Sequence, residues 1–156
     1  CLLSRGLGDV YKRQAYGTAD ATDAEVQAAV ERIGALGVIG TIPGGFNARV
    51  GERGRGLSSG QRQIIALARA EMLTPAVLLL DEATATLDPA TERAVLDASD
   101  RAMAGRTSVV VAHRLATAAR ADRILVIDEG RIIEDGCHED LISAGGRYAH
   151  MWAVNR

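Results

Sequence analysis

The stretch Leu57-Ser58-Ser59-Gly60-Gln61 constrains this chain most, together with the apolar run Val77-Leu78-Leu79-Leu80 that follows and closes on Asp81-Glu82. Ser58 and Gln61 have the S-x-x-Q spacing of a capping box, in which the serine hydroxyl accepts a first-turn backbone N–H and the glutamine reaches back to the cap. Gly60 has no Cβ, so a phosphate can come close to the backbone of such a helix start. Helix-compatible residues follow, with Gln61, Ile65, Ala68 and Met72 on one face and Arg62 and Arg69 off it. Thr74-Pro75 ends the helix, because proline has no N–H to continue it. Val77 to Leu80 then reads as a strand buried on both faces. The two carboxylates at its carboxyl end lie where open α/β sheets place their ligands.

The rest of the chain supports an α/β reading. Thr22-Asp23-Ala24-Glu25 is a second capping box, followed at helical spacing by Val26, Ala29, Val30, Ile33 and Leu36, which read as core packing. Gly40 to Asn47 is a turn region. Asp88-Pro89 is a capping aspartate with proline at the first helical position, and that helix runs to about Met103, where Gly105 can end it. Thr107 to Ala112 is a second apolar strand leading to His113, Leu115 to Arg120 a short helix, and Ile124 to Ile127 a third strand. Asp128-Glu129-Gly130 turns that strand into Arg131-Ile132-Ile133 as a hairpin at the sheet edge. His138 to Ala144 is a short helix stopped by Gly145-Gly146, and a last helix carries Tyr148, Met151 and Trp152 on one face. Three strands with helices between them read as part of a parallel sheet. Cys137 reads as a small tolerated side chain, and His138 lacks the partner spacing of a metal site.

Composition narrows the function. The 156 residues suffice for one domain with its own core. A net charge of −2 gives no reason to expect nucleic acid as a partner. Arg49, Arg53, Arg55 and Arg62 form a loose basic run that reads as a solvated face, with help in attracting nucleotide phosphates as the alternative. Cys1 and Cys137 are too few and too far apart for a disulfide framework, which fits a reducing compartment. No apolar run approaches the ~20 residues of a membrane span, so work at a membrane needs another segment to supply it.

Leu57 to Gln61, Val77 to Glu82, Ala85-Thr86-Leu87-Asp88 and His113 resemble, in order and spacing, motifs of the ABC transporter nucleotide-binding domain. These are the signature, the Walker B strand with its glutamate, the D-loop and the switch histidine. Any one is weak alone; four in register are specific. The resemblance covers the chain from Ala15 to its end. It implies an α/β fold: a truncated P-loop NTPase core, with a partial parallel sheet flanked by helices and an α-helical signature subdomain. Residues 15–73 would be that helical subdomain and 74–156 the core with its C-terminal helices. Residues 1–14 fit nothing downstream and resemble translated sequencing-adapter sequence. They are read as a segment foreign to the family, disordered or artefactual, and not as a secretory signal.

The resemblance also implies roles. Glu82 would polarise the attacking water as general base, a role worth ~10²–10⁴ in rate. His113 would contact the γ-phosphate, and Asp81 would hold Mg2+, which prefers oxygen ligands and keeps several waters. Ser58, Ser59, Gly60 and Gln61 would grip the γ-phosphate of an ATP held by a second nucleotide-binding domain, identical or not, and Asp88 would organise that dimer interface. Ser59 departs from the family's usual glycine. Gly51-Glu52-Arg53-Gly54 resembles the loop by which exporter-type domains touch their membrane domain. The implied setting is the cytoplasmic face of a bacterial membrane. A Walker A loop, G-x-x-x-x-G-K-[ST], is not present: the single lysine, Lys12, is followed by Arg13. This chain alone is therefore expected not to turn over ATP. Two other readings stay open. A soluble ABC ATPase of DNA repair or chromosome maintenance would bring long heptad flanks and no Gly51–Gly54 loop. A non-catalytic module would only donate Ser58 to Gln61 to a complete partner.

Overall fold

The structure is a computed structural model that describes residues 21–48, 50–51, 54–81 and 87–155. Glu82, Ala85, Thr86, Arg49, Glu52, Arg53 and the segment 1–14 lie outside the described residues. The described residues up to 78 form one compact unit with 87–108, and 79–81 form a second with 109–155.

The first unit is built from capped helices. Helix α1 (Asp23–Arg32) starts on Thr22, whose hydroxyl accepts the Glu25 N–H at 3.3 Å while the Thr22 N–H donates to Glu25 Oε2 at 2.7 Å. Val26, Ala29, Val30 and Ile33 are buried as the spacing predicts, but Leu36 is exposed. Gly34, in the left-handed region at φ 71°, breaks the periodicity, and Leu36 opens a new short helix, α2 (Leu36–Gly40). Helix α3 (Ser59–Leu73) ends at Thr74, itself left-handed at φ 40°, ahead of Pro75. Its buried residues are Gly60, Ile64, Ile65, Leu67, Ala68 and Glu71, so the expected face is buried at Ile65 and Ala68 and half-buried at Gln61 and Met72, and a second stripe, Gly60-Ile64-Leu67-Glu71, is buried beside it. The cause is that α3 packs against both α1 and α4 (Pro89–Met103) and buries two sides. Helix α4 starts on Asp88, whose Oδ1 accepts the Thr91 N–H at 3.0 Å, and it buries Val95, Ala98 and Ala102.

Glu71 is the one buried charged residue among those described, at 6% exposure. Its Oε1 accepts Arg32 Nε at 2.7 Å and its Oε2 accepts Arg106 Nη2 at 2.8 Å. Both carboxylate oxygens are thus paired, as a buried charge requires, and the ends of α1 and α3 are tied to the turn after α4.

Strands β1 (Val77–Asp81) and β2 (Thr107–Val111) form a two-stranded parallel sheet. The expectation that β1 is buried on both faces is corrected: Leu78 is buried, while Val77 is 58% and Leu79 69% exposed. Val109 and Val111 of β2 are exposed too. An apolar run implies two covering layers, and among the described residues one face of this strand has none.

In the second unit, after the short helix α5 (Leu115–Ala118), β3 (Ile124–Asp128) and β4 (Arg131–Gly136) form the predicted hairpin. Glu129 and Gly130 both have positive φ, the two-residue turn that matches strand twist. The third strand does not join the parallel sheet: its partner is β4, antiparallel, in a sheet of its own, with a bulge after Val126. Ile124 and Val126 face a core made with Leu141 of α6 (His138–Ala144) and Tyr148 of α7 (Arg147–Val154). Met151 and Trp152 pack against it, the predicted face of the last helix. Gly146 has no side chain to cap α7, so Glu134 of β4 does so, accepting the N–H groups of Arg147 and Tyr148.

Candidate functional site

The first group of site residues is the start of α3. Ser58 Oγ accepts the Gln61 N–H at 3.2 Å, and the Ser58 N–H donates to Gln61 Oε1 at 2.9 Å, so the capping box read from the spacing is formed. The Gln61 side chain is then held by a residue the sequence did not point to. Its Nε2 donates to Thr41 Oγ1 at 3.2 Å, and that hydroxyl donates to the Val38 carbonyl at 2.7 Å. The Arg62 N–H goes to the Ser58 carbonyl at 3.0 Å. Among the described residues no acceptor meets the Ser59 or Gly60 N–H. Two uncommitted N–H groups at the positive end of a fifteen-residue helix suit an anion. Ser58 is exposed; Ser59 and Gln61 are half-buried.

Gly60 is buried, and packing supplies a reason for glycine besides the one expected. A Cβ there would overlap Thr91 Cγ2 and touch Leu87 Cδ2 at 3.4 Å. The absent side chain lets the start of α4 pack on the start of α3. That contact sets Leu87 and Thr91, which flank Asp88, against Gly60 within one unit. The Thr91 side chain and, after it, the Thr91 N–H hold the Asp88 carboxyl below the usual carboxylate range. Thr91 was invisible as a site residue, because nothing local marks a threonine that fills a glycine's missing Cβ.

The second group lies in the other unit. Asp81 ends β1 and His113 follows β2, with His113 Nε2 3.7 Å from Asp81 Oδ1 and both side chains largely exposed. At that separation in water a pair contributes little stability, so both groups are free for other work. Glu82, the expected base, lies outside the described residues. Among the described residues no three of His, Cys, Asp and Glu gather as a metal cage. A single exposed carboxylate suits a hard cation that keeps its waters, magnesium, better than zinc.

The remaining candidates have local contacts of their own. Gly51 and Gly54 belong to a turn closed by Gly51 N–H to Arg55 O at 3.2 Å and Gly54 N–H to Gly51 O at 3.1 Å. Cys137 makes no side-chain cap to α6; its thiol donates to Asp140 Oδ2 at 3.1 Å. His138 Nδ1 is 2.8 Å from the Tyr148 hydroxyl, and burial pushes that phenol up. No helix among the described residues is long and apolar enough to cross a membrane.

A family model described as ABC transporter matches residues 8–85, beginning inside the 1–14 segment. A multidrug efflux ATP-binding/permease protein of Mycobacterium bovis (strain BCG / Pasteur 1173P2) is 48% identical over 148 residues, which is 95% of this chain and 12% of that protein. ABC transporter B family member 19 of Arabidopsis thaliana is 51% identical over 136 residues, 87% of this chain and 11% of that protein. The chain therefore spans about an eighth of the length of the first curated relatives it matches. A solved bacterial Atm1-family ABC exporter with ATP bound superposes with a TM-score of 0.83 at 42% identity, covering 96% of this chain and 26% of that one.

Proposed function

This chain belongs to the ABC transporter family, as part of an exporter-type ATP-binding domain, and from that premise we propose that it supplies the signature side of a composite ATP site. The reading rests on the uncommitted Ser59 and Gly60 N–H groups at the exposed Ser58 tip. There Ser58, Ser59, Gly60 and Gln61 would hold the γ-phosphate of an ATP whose other phosphates lie on a second nucleotide-binding domain. Asp88, flanked by the Leu87 and Thr91 that pack on Gly60, would border the same interface. In a protein that also provides a G-x-x-x-x-G-K-[ST] loop, Asp81 would hold Mg2+, Glu82 would orient and deprotonate the attacking water, and His113 would meet the γ-phosphate. ATP supplies the binding energy that closes the two domains and the phosphoanhydride bond whose hydrolysis separates them. The Gly51–Gly54 turn would carry that motion to a membrane domain at the cytoplasmic face of a bacterial membrane.

The test uses the chain as it is. It is mixed with a complete exporter ATP-binding domain whose own signature serine has been replaced, and phosphate release is measured. Restored hydrolysis is expected from this chain and equally from its Glu82→Gln variant, since Glu82 serves a site this chain cannot complete. Ser58→Arg should abolish it. No restoration by the unaltered chain would sink the donation reading. Hydrolysis by the chain alone, lost in Glu82→Gln, would sink the claim that it needs a partner.

A further inference from the structure

We infer that Arg62 is a positioning residue for the Ser58–Gln61 tip, an inference that rests on the anion-binding reading of that tip. From the sequence Arg62 is one more solvated cation of a basic face. In the structure its side chain folds back over the entrance to α3. Nη1 donates to the Leu57 carbonyl at 2.7 Å, and the methylenes lie on Gly54, where a Cβ would come within 2.9 Å of Arg62 Cδ. Gly54 is buried at φ 79°, so two features of the turn, its left-handed backbone and its contact with Arg62, both require glycine.

The Leu57 carbonyl and the Ser58 N–H belong to one peptide plane. Arg62 grips that plane by its oxygen, and Gln61 Oε1 grips it by its N–H at 2.9 Å. A peptide held at both ends cannot rotate, and its orientation fixes the φ of Ser58, which sits at −66°. The aim of the Ser58 hydroxyl, and of the Ser59 and Gly60 N–H groups after it, follows from that angle. Arg62 is also out of place electrostatically: a cation in the first turn opposes the helix dipole. An anion at the two free N–H groups removes that conflict, so the same guanidinium both orients the tip and favours its ligand.

Arg62→Met keeps the stem over Gly54 and deletes the guanidinium; Arg62→Lys keeps the charge and loses the fork. In the mixing assay Arg62→Met should raise the ATP concentration for half-maximal hydrolysis about tenfold, the loss of one charge-assisted hydrogen bond. The maximal rate should change much less, and Arg62→Lys should recover only part of the loss. A lower maximal rate at unchanged half-saturating ATP would mean that Arg62 only keeps the chain folded, and would overturn the inference. Amide exchange in the chain alone separates this from failure of the donation reading. In Arg62→Met the Ser58 and Gln61 amides should exchange about tenfold faster, with Ile64 to Ala68 within twofold of the unaltered chain. If the unaltered chain does not restore hydrolysis yet this local loosening is seen, the donation reading falls and the positioning of the tip stands. Unchanged exchange at Ser58 and Gln61, or a uniform rise along α3, overturns the positioning.

Discussion

Gly60→Ala should destabilise this chain even though alanine is the better helix former. Alanine in place of glycine favours a helix by up to ~1 kcal/mol, and Gly60 sits in the first turn of α3 with no left-handed backbone to protect. Against that gain stands Thr91. A Cβ on residue 60 would lie 2.2 Å from Thr91 Cγ2, roughly 1.5 Å inside the separation of about 3.5–4.0 Å at which carbon atoms rest. The Thr91 side chain cannot simply turn away, because it is branched at Cβ, and Cβ itself would lie 3.6 Å from the added methyl. Overpacking of this kind costs about 1–3 kcal/mol, which leaves a net loss of about 1–2 kcal/mol and roughly 5 °C in Tm. Thr91→Ser removes the offending methyl and keeps the hydroxyl, at about 1 kcal/mol for the lost burial. In that background Gly60→Ala should become stabilising, an interaction of about 2 kcal/mol between the two positions. Thermal unfolding of the four proteins by far-UV circular dichroism measures it. Trp152, the only tryptophan, reports the other unit by fluorescence. If Gly60→Ala raises Tm in the unaltered background, or acts with the same sign in both, the packing argument is wrong and the glycine serves only the approach of a ligand.

Glu71→Gln should cost about 3 kcal/mol in urea unfolding, since it strands Arg106, whose side chain is only 16% exposed. Arg32→Ala should cost below about 1 kcal/mol, because Arg32 is half in water at 52% exposure. Stability should also fall in acid. Asp88 by the Thr91 side chain, Glu25 by the Thr22 N–H and Asp135 by Arg123 are all held below their ordinary values. A lowered carboxyl binds its proton more readily in the unfolded chain, so the stabilisation is full above about pH 4.5 and is lost as pH falls through about 4 and below. Urea midpoints at pH 7 and pH 3 check this. Asp88→Asn, an equally good cap, should match the unaltered chain at pH 7 and fall less in acid.

What was legible in the sequence is what chemistry decides over three or four residues. Thr22 with Glu25, Ser58 with Gln61, and Asp88 ahead of Pro89 each specify a helix start from hydrogen bonds within one turn, and all three form. Gly105 and Gly145 stop helices because each needs only its own left-handed backbone. The misreadings share a different cause. The second buried stripe of α3, the exposure of Val77 and Leu79, and the separation of β3 from the parallel sheet are decided by what lies beside an element, which periodicity does not carry. Glu71 is the instructive case. It continues the buried stripe of Gly60, Ile64 and Leu67 at helical spacing, and a carboxylate on an apolar stripe calls for buried cations. The signal was present; its partners, 39 and 35 residues away, were not.

The same division runs through the candidate site. The cap at Ser58 is written locally, so the shape of the tip could be read from five residues. Its surroundings are Thr41 on Gln61, Thr91 under Gly60 and Arg62 on the Leu57 carbonyl. Each of these contacts one atom group of the tip, and none of them occupies the Ser59 or Gly60 N–H. A helix start alone leaves its N–H groups free to follow the chain into many orientations; these contacts remove that freedom before any ligand arrives. Preorganised donors need no rearrangement when charge appears in front of them. If the tip takes a phosphate as proposed, it does so less through the five residues that name it than through the three side chains that hold it in place.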